Sequence, residues 1–190
     1  MASRSTTVYQ GLSDRIRFLT QFLKSPFAVG SPIATASRTV SALLGDLEWS
    51  RVRLFVEYGP GTGEFTRYIL EHLPQDAQLV VFESDGALAD HLRETIHDKR
   101  LTIHAVSATN ARKILGQEGM GQADCILSGI PFSSIPLPKR ARIVADAATL
   151  LRRQGQFLAY QVRRVIARHL RAHFQTVTRR RIWLNLPPYH

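Results

Sequence analysis

The sequence predicts an α/β fold with a mainly parallel, doubly wound sheet. Three observations predict it. From Arg53 onward, short apolar runs alternate with helical patterns, the signature of strands joined by crossover helices. The first run, Leu54–Tyr58, is nearly all apolar and ends at glycines, as a strand covered on both faces does. The chain of 190 residues is long enough for one domain with a full core, and it shows no internal repeat and no second domain.

The elements follow in order. Residues 8–24 read as an amphipathic helix. Val8, Leu12, Ile16, Leu19 and Leu23 recur at helical spacing, while Asp14, Arg17, Gln21 and Lys24 face elsewhere. Pro26 ends it, and a Ser/Thr/Pro-rich stretch runs over 25–37. A second helical pattern covers 38–47. The division is therefore 1–37, an N-terminal amphipathic helix and lid segment, and 38–190, the sheet domain. Strands are expected at 54–58, 79–83, 101–106, 123–127, 156–162 and 175–184. Helices are expected at 62–73, 87–97, 110–115, 139–153 and 164–174. Pro74 stops the first of these, and Gly155 is the expected stop of the fourth.

Composition narrows the partners. The chain has 25 Lys plus Arg against 15 Asp plus Glu, a net charge of +10. That balance draws a protein to polyanions, either anionic lipid or nucleic acid. The apolar share of 44% is that of a globular protein. No run approaches the roughly 18 apolar residues of a membrane span. Met1 to Thr7 are polar and carry no secretory signal, so a cytoplasmic protein is expected. The single cysteine, Cys125, excludes an internal disulfide, and its place inside a strand predicts buried packing.

In a doubly wound sheet, ligands bind beyond the carboxyl ends of the strands, where strand order reverses. The loops to search are 58–63, 83–85, 106–109 and 127–132. The first carries Glu57-Tyr58-Gly59-Pro60-Gly61-Thr62-Gly63-Glu64. A dinucleotide fingerprint needs its third glycine one residue later, where Glu64 would repel a pyrophosphate. No Gly-Lys-Ser/Thr follows, so a P-loop is excluded as well. Glu57 instead puts a carboxylate at the strand tip, which suits a ligand bearing an ammonium and a sulfonium. Glu83 ends the second strand, where a carboxylate can accept both ribose hydroxyls.

This pattern resembles the first motif of the class I (Rossmann-like) methyltransferases, acid-x-Gly-x-Gly-x-Gly. The resemblance implies S-adenosyl-L-methionine as cofactor and S-adenosyl-L-homocysteine as product. It assigns Glu57 to the methionine end of the cofactor and Tyr58, Gly59, Pro60, Gly61 and Gly63 to close approach. Glu83 and Ser84 are then expected at the ribose, and Ser107 and Ala108 near the adenine. Many relatives carry an acid at that last place; this chain does not, so backbone groups are expected to recognise the adenine.

The fourth strand leads into Ser128-Gly129-Ile130-Pro131-Phe132. Ribosomal RNA adenine dimethyltransferases resemble this loop, but carry asparagine where Gly129 stands. Bacterial phosphatidylethanolamine N-methyltransferases are similar to it more closely, with Ser-Gly-Leu-Pro. The resemblance extends to Pro26-Phe27-Ala28-Val29-Gly30-Ser31, to Ala36-Ser37-Arg38, to Gln156-Phe157 and Tyr160-Gln161, and to Asn185-Leu186-Pro187-Pro188. Relatives continue a little further, so a last edge strand is expected to be short or absent.

That resemblance implies methylation of the phosphatidylethanolamine amine, and of its mono- and dimethyl derivatives, at the inner face of the cell membrane. Ser128 is the candidate acceptor of the amine N–H and a further candidate cofactor contact. Phe132 and Tyr160 are candidate cation–π surfaces, with core packing as the competing reading. Leu12, Ile16, Leu19 and Leu23, flanked by Arg15, Arg17 and Lys24, are candidate membrane contacts; a lid on the domain is the competing reading of the same helix. Two other functions stay open on sequence grounds: an adenine-dimethylase-type RNA methyltransferase, and a non-catalytic lipid-binding protein on the same fold. His169 and His173 are spaced i, i+4, but Leu170 replaces the glutamate of a zinc-protease motif, so no metal site is expected.

Overall fold

The computed structural model describes residues 40–159 and 165–179. The helix expected at 8–24, with its membrane-contact residues, lies outside them, as do Tyr160 and the proline-containing C-terminal motif.

Five parallel strands form the sheet: β1 (Leu54–Tyr58), β2 (Gln78–Phe82), β3 (Leu101–His104), β4 (Ala123–Ser128) and β5 (Leu151–Ala159), in the order β3-β2-β1-β4-β5. Residues 40–44 are helical, and the helices that follow are α1 (Glu64–His72), α2 (Gly86–Thr95), α3 (Ala111–Gln117), α4 (Leu137–Leu150) and α5 (Ala167–His173). The expected elements are present with ends displaced by a few residues, apart from the two differences given below.

Side-chain alternation builds a core on each face of the sheet. Val56, Tyr58, Val80, Phe82 and Ile126 point to one face and bury Leu115 of α3, Ile143 and Val144 of α4, and Ile166 just before α5. Phe55, Leu79, Val81, Cys125 and Leu127 point to the other and bury Ile69 and Leu70 of α1, Leu92 of α2, and Val40 and Leu44. Cys125 is 1% exposed, and burial pushes its thiol far up, so it packs as expected and is no nucleophile. α1 leaves β1 for one face and α4 leaves β4 for the other. The order therefore reverses between β1 and β4, and their carboxyl ends open the crevice that the topology requires.

The amino-terminal edge of the sheet is tied by Asp124. Its Oδ2 accepts the backbone N–H of Arg53 at 2.7 Å and of Leu54 at 2.9 Å, and its Oδ1 accepts from Arg152 Nε. One carboxylate thus fastens the starts of β1 and β5 to β4. Arg100 closes the end of α1, donating to the carbonyls of Leu70 at 2.7 Å and Leu73 at 2.5 Å while paired with Asp98.

Two expectations are corrected. Gly155 does not stop α4, which ends at Leu150 and runs directly into β5. Gly155 lies where the β4–β5 register shifts, between the pairs Ala123↔Leu151 and Cys125↔Gln156. A Cβ there would stand 3.0 Å from the Ala123 carbonyl oxygen, so the glycine permits close approach of two backbones. The sixth strand is not formed over 175–179, which have no strand hydrogen bonding; 180–184 lie outside the described residues.

Candidate active site

The crevice is lined first by the turn after β1. Gly59, Gly61 and Gly63 have φ of 67°, 60° and 85°, a region that side chains disfavour. Their duties differ. A Cβ on Gly63 would come within 2.6 Å of Leu92 Cδ2 and 3.0 Å of Ile96 Cδ1, so this glycine lets α1 pack against α2. Gly61 turns its N–H toward Glu83 Oε2 at 3.3 Å. Gly59 donates to the Phe82 carbonyl at 2.9 Å and extends the β1–β2 ladder past the strand end. Pro60 is buried in the turn, and its carbonyl accepts from Gly63 N at 3.1 Å.

Two carboxylates are buried here. Glu57 is 2% exposed and Glu83 is 3% exposed. Glu57 lies on the α1 face of the sheet, where Thr66 Oγ1 donates to its Oε2 at 2.7 Å. Thr66 escaped the sequence reading. Its signal was a hydroxyl in the first turn of a helix that must face the strand. Desolvation pushes the Glu57 carboxyl up to about 7, against the lowering effect of Thr66 and with a further push from Glu83. Glu83 is raised as well, chiefly by desolvation, although the N–H groups of Asp85 at 2.9 Å and Gly61 hold its charged form. Asp85 is a second residue not foreseen. Its own side chain caps α2 by accepting from Ala87 N and Leu88 N.

Glu83 Oε2 accepts the Gly61 N–H and Oε1 the Asp85 N–H, and the Ser84 backbone also helps hold the charged form. Ser84 is exposed beside it. Ser107 sits after β3 and caps the short turn Ala108–Asn110, with its Oγ 3.4 Å from Thr109 N; Ala108 is buried beneath. Tyr58 turns its ring into the core against Phe82, with centroids 6.0 Å apart. Only its backbone serves the crevice: the Tyr58 carbonyl accepts from Gly129 N at 2.9 Å.

The loop after β4 closes the other side. A Cβ on Gly129 would lie 2.6 Å from the Gly59 carbonyl oxygen, so this position takes glycine because the two loops touch. Ser128 is fully buried, with Oγ 3.4 Å from the N–H of Ile130. Phe132 is also fully buried, in the cluster with Tyr58, Phe82 and Ile143. That placement matches core packing, the competing reading of this ring, and puts its faces out of reach of solvent. Loops 58–63, 83–85, 106–109 and 127–132 thus meet at one edge of the sheet. Among the described residues, no group of three or more His, Cys, Asp or Glu is placed to hold a metal.

The chemistry of this edge fits a cationic ligand. Two desolvated carboxylates raise each other's cost of ionisation, and a positive neighbour relieves it. A pyrophosphate would add to that cost. The fold is that of the class I S-adenosylmethionine-dependent methyltransferases. Mycolic acid cyclopropane synthase complexed with SAH and CTAB aligns with a TM-score of 0.55 at 16% identity, over 68% of this chain and 44% of that one. Mitomycin 7-O-methyltransferase gives 0.56 at 17% identity, over 82% and 43%. Human N-acetylserotonin methyltransferase in complex with SAM gives 0.53 at 12% identity, over 80% and 39%. This chain spans less than half the length of those structures, and the likeness concerns the fold.

Along nearly its whole length, the chain is similar to the ornithine lipid N-methyltransferase of Singulisphaera acidiphila. Identity is 28% over 179 residues, 93% of each chain. The resemblance to lipid N-methyltransferases drawn from the Ser128–Phe132 loop agrees with that relative. No protein-family model matches the chain.

Proposed function

We propose that this protein transfers methyl groups from S-adenosylmethionine to the primary amine of a membrane aminolipid. The observation that carries the proposal is the full-length similarity to a lipid N-methyltransferase, with the Ser128-Gly129-Ile130-Pro131 loop beside the cofactor crevice. Phosphatidylethanolamine is the substrate expected from the loop motif. The relative's name specifies ornithine lipid, and both lipids offer a free amine.

When bound, the cofactor supplies an electrophilic methyl group on a sulfonium. Glu57 would hold its amino-acid end and Glu83 its ribose. The acceptor reaches the protein mostly as an ammonium, since an alkylamine has a pKa of roughly 10. A site that excludes water and already holds a cation lowers that value. Ser128, through its hydroxyl or carbonyl, accepts the remaining amine N–H and aligns the nitrogen. No strong base is required.

An RNA adenine target gains no support from the loop. Gly129 stands where an asparagine would recognise the base edge, and its packing against Gly59 leaves no room for a side chain in this arrangement. The retained Glu57, Gly59, Gly61 and Glu83 favour turnover over mere lipid binding.

The test is incubation with methyl-labelled S-adenosylmethionine and three acceptors: phosphatidylethanolamine vesicles, ornithine-lipid vesicles and RNA. Label in either lipid is the expected result. Label confined to RNA, or to no acceptor, would overturn the proposal.

A further inference from the structure

Beside the crevice, on the β4–β5 side, lies a cleft of about 470 Å³ lined by Leu137, Pro138, Ala141, Val165, Arg168 and His169. Its walls are the first turns of α4 and the segment leading into α5. Its position follows from the site: Leu137 comes directly after the loop holding Ser128 and Phe132, and Arg140 Nε holds the Ile135 carbonyl of that loop at 2.7 Å. The lining is mostly apolar, and Leu137 stands 60% exposed at the mouth. A leucine so placed beside an apolar cleft marks a surface that expects a partner.

The surrounding charge indicates which partner. Lys139, Arg168 and Arg171 are exposed, and none of them has an ion-pair partner among the described residues. Residues 165–179 contain no acid. The one acid of α4, Asp146, is already shared by Arg112 at 3.6 Å and Arg142 at 3.5 Å. An apolar cleft with an uncompensated basic rim is complementary to acyl chains beneath anionic headgroups.

We propose that the α4–α5 cleft takes an acyl chain of a membrane lipid while Lys139, Arg168 and Arg171 engage the headgroups around it. This rests on the aminolipid reading above and adds a place for the lipid's tail. The lipid would be drawn partly out of the bilayer, with its amine turned toward Ser128. Leu137 enters the membrane at the rim.

Two experiments test it. In the first, the unaltered protein is mixed with vesicles of phosphatidylglycerol and phosphatidylethanolamine carrying a photoactivatable acyl chain, and the crosslinks are mapped by mass spectrometry. Crosslinks in residues 137–141 and 165–169 are expected; crosslinks confined to other segments overturn the proposal. In the second, Ala141→Trp fills the cleft and Arg168→Glu reverses its rim. Each is expected to lower methylation of vesicle aminolipid at least about tenfold, with cofactor affinity by calorimetry unchanged; a loss of that size corresponds to about 1.4 kcal/mol. If both variants match the parent on vesicles, the cleft has no such role. If the parent itself labels no aminolipid, the aminolipid reading fails instead, and the two failures are told apart.

Discussion

At the scale of single residues, the buried Glu57 and the partly buried Asp124 have opposite pH signatures. Glu57 has its pKa raised from 4.5 to about 7 by desolvation, so the folded protein holds a proton that the unfolded chain has released. Its contribution favours folding below the ordinary carboxylate range and turns unfavourable as pH rises toward 7, by up to about 3 kcal/mol. Asp124 is also pushed up by burial, but the N–H groups of Leu54 and Arg53 and the Arg152 guanidinium outweigh this and lower it. Its contribution is present at neutral pH and lost as pH falls through the acid range. Glu57→Gln should therefore raise the melting temperature of the ligand-free protein at pH 8 and change it little at pH 4.5, while weakening cofactor binding at pH 8. A variant no more stable than the parent at pH 8 would remove the argument that this carboxylate waits for a cation. Gly129→Ala places a methyl group against the Gly59 carbonyl. The loops must part, at a cost of about 1–3 kcal/mol in stability, and methyl transfer should fall with it. Thermal unfolding and turnover measured side by side check both effects.

At the scale of elements, the sheet's two ends separate stability from function. Asp124 at the amino edge gathers β1, β4 and β5 and lies away from the crevice. Asp124→Ala leaves two backbone N–H groups and an arginine unmatched and should cost about 3 kcal/mol. Urea unfolding should show the midpoint fall, and calorimetry on the folded variant should show cofactor affinity within about twofold of the parent, under 0.5 kcal/mol. A large loss of affinity would mean that the two edges are coupled. Arg100 has a similar duty at the end of α1, where it replaces the glycine cap that the sequence lacks there.

Element placement was legible in the sequence where apolar runs were bounded by strong signals. Leu54–Tyr58 ends at Gly59, and the strand has those limits. The crevice was legible too, because glycine spacing and strand-end acids are local features. Gly155 misled because a glycine after a helical pattern reads as a cap; its use at a register shift depends on the neighbouring strand, which sequence spacing does not reveal. At Gly63 a Cβ would meet Leu92 and Ile96, a packing demand on this glycine that depends on the next helix and that sequence spacing does not reveal. Thr66 supports Glu57 through a contact set by the crossing of strand and helix, so it became visible only in three dimensions, whereas Asp85 reaches Glu83 locally, through a backbone N–H two residues on.

For the molecule as a whole, the proposed function brings methyl donor and acceptor together where β1 and β4 diverge, with a basic, partly apolar surface beside them. No helix of the described residues is long and apolar enough to cross a membrane. The N-terminal segment 1–24 belongs to the same picture through its sequence alone. Its removal should reduce sedimentation with anionic vesicles more than it reduces cofactor affinity, and equal losses in both would favour the lid.

The account rests on the binding of a cationic methyl donor between Glu57 and Glu83. Calorimetry of the purified protein with S-adenosylmethionine, set beside Glu83→Ala, measures this directly. Binding by the parent is expected, with affinity about 10- to 100-fold weaker in the variant, as the loss of charge-assisted hydrogen bonds implies. No binding of S-adenosylmethionine or S-adenosylhomocysteine by the parent, together with binding of a dinucleotide, would contradict it.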